Sequence, residues 1–314
     1  MNNLNAISKK LNDRRRIDKA EGLALLRHAD FLTLAGLANE KRFYLHPEKW
    51  VTYVIDRNIN YTNICLSQCK FCAFFKSKAQ DGGYVISKEA LAQKIKETIE
   101  LGGTQILLQG GMHPDLELEF YTDMLIFIKK EFDIHIHGFS PPEIDFIARK
   151  SSLSIAETIT VLKDAGLASI PGGGAEILCD EIRQKASPNK CLSDTWLEVM
   201  RQAHLQGMRS SATMMFGHLE KDIHILEHLD KIRTLQDETK GFTAFIPWTF
   251  QPDNTKIKVD KKSSVEYLRV LAVSRLYLDN VNNIQASWVT QGDKIAQTAL
   301  FFGANDMGST MIEE

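Results

Sequence analysis

From Asp18 to about Leu45 apolar side chains recur every three or four residues through Leu23, Leu25, Leu26, Phe31, Leu32, Leu34 and Leu37. That period predicts helix with one buried face. Val51–Asp56 then alternates as a strand and continues through Asn58 to Tyr61. Ser87 reads as the N-cap of a helix from Lys88 to Leu101, which Gly102 and Gly103 end. A strand follows over Thr104–Gln109, and the unit repeats. Helices over 118–131, 155–165, 193–206, 222–236 and 263–279 alternate with strands over 133–139, 168–171, 209–216, 241–248 and 283–289. A last helix over 293–302 leads to Asn305 and Asp306. Short strands alternating with helices require a parallel sheet with helices outside, and seven clear strands plus a weak eighth predict closure. The expected fold is therefore an α/β (β/α)8 TIM-type barrel over residues 51–314, preceded by an N-terminal helical extension over residues 1–50. The polar stretch from Gln251 to Lys262 reads as a surface loop.

The chain of 314 residues is long enough for such a barrel, which takes about 250 residues. Its 38 basic and 40 acidic side chains nearly balance, so composition predicts neither a nucleic-acid footprint nor attraction to an anionic membrane. The Arg14-Arg15-Arg16 run reads as a solvated helix face. No early apolar stretch has signal-peptide length and no window is apolar enough to span a bilayer, so the expected location is cytoplasmic. Five cysteines in a chain of this size do not form a disulfide framework.

Three of those cysteines, Cys65, Cys69 and Cys72, stand in one C-x3-C-x2-C loop directly after the first predicted strand. Structural zinc takes four protein ligands, usually as paired C-x2-C units, and no second pair follows. Cys179 and Cys191 lie far apart downstream and read as packing residues. Three thiolates suit a [4Fe–4S] cluster with one iron left open to an exogenous ligand. A zinc site and three inert buried cysteines are the competing readings.

The spacing, with Phe71 just before the last cysteine, resembles the radical S-adenosylmethionine (SAM) superfamily. The resemblance implies that the open iron chelates SAM and that an electron from the cluster releases a 5′-deoxyadenosyl radical. The cofactor then carries the hard chemistry, while the protein orients it and shields the radical.

In a parallel barrel the active site lies at the C-terminal ends of the strands. Gly110 and Gly111 follow the second strand, where the superfamily holds the SAM amino group; a tight turn is the plain alternative. Ser140 opens a capped helix start in which Glu143 fits either a cap or a ligand contact. In the segment Pro171-Gly172-Gly173-Gly174-Ala175-Glu176, Glu176 is suited to accept both hydroxyls of a ribose. Arg183 is suited either to fork onto a carboxylate such as that of methionine or to form a surface ion pair. Phe71, Gly110, Gly111, Ser140, Glu176 and Arg183 are thus the candidate cofactor contacts. His135 and His137 share one face of the third strand and suit hydrogen bonding to substrate better than a metal site. Thr213, Trp248, Gln285 and Ser287, the last two expected on one face of the seventh strand, complete the candidate substrate contacts.

Beyond the cysteine loop, segments 64–74, 105–111, 170–178, 212–218, 241–248, 284–292 and 303–314 resemble the cyclic dehypoxanthinyl futalosine synthases of menaquinone biosynthesis. Aminofutalosine synthase and the deazaflavin-cofactor synthases share the cysteine loop and the Pro-Gly-Gly-Gly-Ala-Glu segment. Trp248, the run Gln285-Ala286-Ser287-Trp288 and the ending Met307-Gly308-Ser309-Thr310 favour the cyclase family. That resemblance implies abstraction of the ribose C4′ hydrogen of dehypoxanthine futalosine, intramolecular attack on the benzoate ring, and loss of a proton and an electron. It also implies an external one-electron donor of flavodoxin or ferredoxin type. Asp306 and His218 are the candidate proton acceptors. Two rivals remain, a sister enzyme with another substrate and a non-catalytic iron–sulfur or zinc module. The family continues with a further tail where this chain stops at Glu313-Glu314, which leaves closure of the eighth unit open.

Overall fold

The computed structural model describes residues 2–78 and 81–313; Met1 and Glu314, the outer ends of the two expected segments, lie outside the described residues. Seven parallel strands run in chain order: β2 (Asp56–Asn60), β3 (Gln105–Gln109), β4 (His135–Gly138), β5 (Ser169–Ile170), β6 (Arg209–Phe216), β7 (Phe242–Thr249) and β8 (Asn283–Ile284). The parallel pair β1 (Thr52–Val54) and β9 (Asp306–Ser309) completes the circuit. On one side the Asn305 amide donates to the Ile284 carbonyl at 3.1 Å and the Ala286 amide to that of Asp306 at 2.8 Å. On the other, the amides of Thr310 and Ile312 donate to the carbonyls of Val54 and Asp56 at 2.9 and 3.2 Å. The hydrogen-bond ladder thus returns to β2, and the barrel expected from the alternation is present.

Outward-facing residues such as Ile106, Leu108, Ile136, Ile170, Ala212, Phe245 and Ile284 are fully buried under the helices. The alternate positions line a lumen that is unusually polar for a barrel core. Most helices match their sequence signals. Ser87, Ser154 and Ser263 each accept an amide as N-caps, the last two within capping boxes, and the helix Ile155–Ala165 ends at Gly166 with φ +125°, which a side chain tolerates poorly.

Five expectations change. The Arg14-Arg15-Arg16 run is not a helix face: it follows the helix Asn2–Asn12 as a turn, with Arg14 at φ +58°, and Arg16 pairs with Asp237 and Asp279. The apolar run from Asp18 to Leu45 is two helices, Lys19–His28 and Phe31–Leu45, because Asp30 caps a new start by accepting the Thr33 amide. The first strand is interrupted at Ile55, and within β1 the register with β9 shifts between Thr52 and Val54. The strand expected over 283–289 stops at Ile284, and a short helix occupies Trp288–Gln291. The stretch from Gln251 to Lys262 is not an ordinary surface loop: Thr255 and Ile257 are buried, and the Lys256 amide donates to the Lys70 carbonyl at 2.8 Å. It lies over the cysteine loop.

Gly22 of the first of those two helices sits where a Cβ would approach Leu226 to 2.6 Å, so this segment packs tightly on the barrel's outer helix Asp222–Thr239. Arg275, wholly buried in the helix Ser264–Tyr277, donates to the carbonyls of Gly303 and Asn282 at 2.7 and 2.8 Å and to Asn305 Oδ1 at 2.6 Å. One guanidinium fork therefore fixes the approach to β9.

Candidate active site

The cysteine loop follows β2 and is clamped from three sides. The Gly111 amide donates to the Thr62 carbonyl at 2.9 Å, the Leu66 amide to Met112 at 3.0 Å, and the Lys70 amide to Ala186 at 2.9 Å. A Cβ on Gly111 would stand 2.2 Å from the Ile64 carbonyl oxygen and 2.9 Å from Cys65 Cβ; one on Gly110 would meet the Tyr61 ring at 2.5 Å. The glycine pair is required by close packing against the cysteine loop and the ring beneath it. Glu143 fixes the pair from below, accepting from the Gly110 amide at 2.9 Å, the Tyr61 hydroxyl at 2.8 Å and the Ser140 amide at 2.8 Å. Burial raises its pKa against those donors. The Ser140 hydroxyl also donates to Glu143, so Ser140 reaches the mouth already engaged.

Cys69 is buried, whereas Cys65 and Cys72 are half-buried. The Met112 amide points at Cys65 Sγ at 3.4 Å, and burial pushes the Cys69 thiol up to about 11. Among the described residues no three His, Cys, Asp or Glu side chains converge as ligands of a single ion do. A cubane binds each thiolate at a separate iron and needs no such convergence.

Beside the loop lies a charged knot. Glu176, held at φ +42°, accepts from Lys190 Nζ at 3.0 Å. Lys190 Nζ also lies 5.0 Å from the centre of the Phe71 ring. Burial works against the charge on Lys190, but Cys69 and Glu176 outweigh it and hold the ammonium above its ordinary pKa. Arg183 does not offer a fork to a ligand. Its Nε and Nη2 donate to the Cys191 carbonyl at 3.1 and 2.7 Å, its Nη1 donates to Gly174 and Ala175 at 3.1 and 2.6 Å, and its side chain is 1% exposed. Both sequence readings of Arg183 are therefore corrected: it braces the loop that carries Glu176. The cation that reasoning missed is Lys190, which reads as an exposed loop residue in Ser187-Pro188-Asn189-Lys190 because nothing local shows that this turn folds onto the cysteine loop.

Trp248 joins Phe71, Met215, Phe250 and Ile257 in a small apolar cluster at this mouth. The Thr213 hydroxyl donates to the Gly172 carbonyl at 2.6 Å. Lower in the lumen, His135 Nε2 and His137 Nδ1 each lie 2.7 Å from the Ser169 hydroxyl. Gln285 faces Gly308, where a Cβ would stand 2.0 Å from Gln285 Nε2; its backbone amide donates to the Phe245 carbonyl at 3.0 Å, while its side-chain amide has no partner among the described residues. Ser287 does not share that face. It follows the end of β8, its hydroxyl pairs with Thr290 at 2.8 Å, and its amide donates to Tyr267.

The two proton-acceptor candidates sit away from one another. Asp306 opens β9 instead of ending a strand, in register with Thr52 at the far end of β1 from the cysteine loop. It accepts from the Thr52 hydroxyl and the Gly308 amide, and burial raises its pKa. His218 donates through Nε2 to the Met215 carbonyl at 3.1 Å, and its Nδ1 is 3.6 Å from Glu220. Burial lowers its pKa. It borders a surface cavity of roughly 360 Å³ between the 251–262 loop and the outer helices, which is not the lumen.

Residues 59–232 match the Radical SAM superfamily, and residues 239–314 match the CofH/MqnC C-terminal region. The chain belongs to the radical SAM superfamily, in its CofH/MqnC group. It is 44% identical over 301 residues to a cyclic dehypoxanthine futalosine synthase from Halalkalibacterium halodurans, covering 95% of this chain and 81% of the relative. The same enzyme from Streptomyces coelicolor is 43% identical, with 95% and 76% covered. The 5-amino-6-(D-ribitylamino)uracil–L-tyrosine 4-hydroxyphenyl transferase of Methanocaldococcus jannaschii is 42% identical over 274 residues, with 84% and 76% covered. The fold matches the FeFe-hydrogenase maturase HydG from Carboxydothermus hydrogenoformans at TM-score 0.78 and 18% identity, covering 98% of this chain and 70% of that one. The protein is thus a radical SAM enzyme acting on a small molecule. Membership implies a [4Fe–4S] cluster and SAM, and the residues present fit both: three thiols on a clamped loop, an amide aimed at one sulfur, and a buried carboxylate–ammonium pair beside them. Among the described residues no helix is long and apolar enough to cross a membrane.

Proposed function

We propose that this enzyme cyclises dehypoxanthine futalosine to cyclic dehypoxanthine futalosine on the route to menaquinone. The observation that carries the reading is the extent of likeness: the two cyclic dehypoxanthine futalosine synthases match across 95% of the chain, the transferases across 84–88%. When bound, the cluster with SAM supplies a one-electron cleavage that yields a radical able to take a ribose hydrogen. Cys65, Cys69 and Cys72 hold the cluster, and Gly110 and Gly111 allow the backbone to approach the SAM amino group. Glu176, oriented by Lys190 and by the loop Arg183 braces, accepts the ribose hydroxyls. Phe71 and Trp248 wall the mouth, while the 251–262 loop keeps water out through Ile257. His135, exposed at the start of β4, stands away from the substrate, whereas Thr213, Gln285 and His137 line its side of the lumen. Their task is positioning, because an intramolecular attack on an aromatic ring gains most from a preset near-attack geometry. The reductant is a flavodoxin- or ferredoxin-type protein and the setting cytoplasmic.

A second reading, transfer of a hydroxyphenyl fragment from tyrosine, is favoured by the 42% identity to the M. jannaschii transferase. One anaerobic assay separates them. The reconstituted enzyme receives SAM, a reductant and either dehypoxanthine futalosine or 5-amino-6-(D-ribitylamino)uracil with tyrosine, and mass spectrometry follows 5′-deoxyadenosine and the products. Coupled 5′-deoxyadenosine and cyclised nucleoside is the expected outcome; a tyrosine-derived adduct instead would overturn the proposal.

A further inference from the structure

In the barrel wall the neighbouring strands β4 and β5 pair with His137 opposite Ser169. His135, two residues earlier, projects to the same side, and the Ser169 hydroxyl sits between the two rings at 2.7 Å from each. A hydroxyl has one proton to donate, so it donates to one imidazole and accepts from the other. The chain of atoms has a direction in space. His137 is nearer the cysteine loop, three residues before Ser140, and among the described residues its Nε2 has no hydrogen-bond partner. His135 opens β4 at the opposite end of the strand and is exposed. Ser169 itself is buried. A plain structural pin between two strands would need one histidine; the exposed one adds nothing to the core.

We propose that His137, Ser169 and His135 form a proton relay that takes the proton lost from the substrate's ring in the lumen and delivers it to solvent at the start of β4. The source of the proton rests on the cyclase reading; the relay is a property of this chain's own side chains. The balance is simple. His137 Nε2 accepts the ring proton while its Nδ1–H passes to Ser169 Oγ. The Ser169 hydroxyl proton passes to His135 Nε2, and the proton on His135 Nδ1 leaves to water. Each residue ends with as many protons as it began. The electron lost in the same rearomatisation goes to a one-electron acceptor of the iron–sulfur class and does not enter the relay. The surroundings suit a neutral carrier: burial, with His135 adding to it, brings His137 down to about 3, and burial with Lys129 lowers His135. Opposite them in register stand Leu107 and Gln105, and the Gln105 side chain donates to Asp56. Neither strand beside them offers a carboxylate bonded to the imidazoles.

The relay requires the Nδ1–H tautomer at both histidines, which long-range nitrogen–proton NMR correlations of the nitrogen-15 histidine-labelled holoenzyme read directly. Finding His137 as the Nε2–H tautomer would overturn the relay, since its lumen nitrogen would then be a donor. Ser169→Ala is expected to slow cyclised-product formation at least about tenfold while 5′-deoxyadenosine formation stays within about twofold, a split typical of losing a proton-transfer step. The solvent deuterium isotope effect on product formation should rise with it, and Ser169→Thr, which keeps the hydroxyl, should restore both. An unchanged product rate and isotope effect in Ser169→Ala would sink the proposal. If the wild-type enzyme makes no cyclised nucleoside, the substrate reading fails, and the tautomers still decide the relay.

Discussion

At the mouth of the barrel the side chains are already spoken for: Arg183 by three carbonyls, Glu143 by two amides and two hydroxyls, Lys190 by Glu176. The lumen differs: among the described residues the Gln285 side-chain amide and His137 Nε2 have no hydrogen-bond partner, although Thr213, His135 and His137 Nδ1 do. The difference follows from what each region meets. On the proposed reading the mouth holds the cofactor shared across the superfamily, so backbone and braced side chains suffice and tolerance is small. The lumen would then meet the substrate that distinguishes one relative from another, and unpartnered polar groups would provide that choice, because a buried donor left unpaired penalises the wrong ligand.

The sharpest test of mouth rigidity is Gly111→Ala. The added Cβ has only the Ile64 carbonyl and Cys65 to push against, at 2.2 and 2.9 Å, and both are backbone-anchored atoms of the cysteine loop. Overpacking of this kind costs about 1–3 kcal/mol in stability. The larger expected effect is local: iron content after reconstitution falls to a small fraction of wild type and turnover is lost. Full iron loading in a folded Gly111→Ala variant would show that the loop is free to shift, and that the mouth is less rigid than its packing implies.

Lys190→Gln is expected to have a smaller and more selective effect. It leaves Glu176 with Arg183 Nη1 at 3.5 Å as its remaining cation. Removing one partner of a buried pair typically costs about 3–5 kcal/mol, and the residual guanidinium moderates that. The KM for SAM should rise tenfold or more, while the KM for the nucleoside moves little. A rise in the nucleoside KM instead would assign Lys190 to the substrate side of the boundary between mouth and lumen.

The barrel was legible because its helices are long, capped and periodic, and because apolar strands separate them regularly. The cysteine loop and the glycine pair were legible because their chemistry is local. Arg183, Ser287 and Asp306 were misplaced for a common reason. Each assignment assumed where a strand ended or which way a side chain pointed, and β8 stops at Ile284 while the last strand starts at Asp306. Ser169 could not be singled out at all. A serine between two alanine-and-isoleucine neighbours carries no signal until β5 is paired with β4 and the hydroxyl falls between two imidazoles.

The lumen side of the comparison is tested most gently at Gln285. Gly308 leaves room for its side-chain amide, and no group among the described residues satisfies it, so in the free enzyme water must solvate it or it goes unpaired. A ligand that bonds to it gains about 1 kcal/mol per neutral hydrogen bond. Gln285→Leu keeps the side chain's bulk and removes the donor and acceptor. The expected result is a melting temperature unchanged or slightly higher, a normal KM for SAM, and a nucleoside KM raised about fivefold, which corresponds to that 1 kcal/mol. A variant that instead lost stability would mean the amide pins β9 to β8 and belongs to the frame, so that selectivity would have to reside higher, around Thr213 and Trp248.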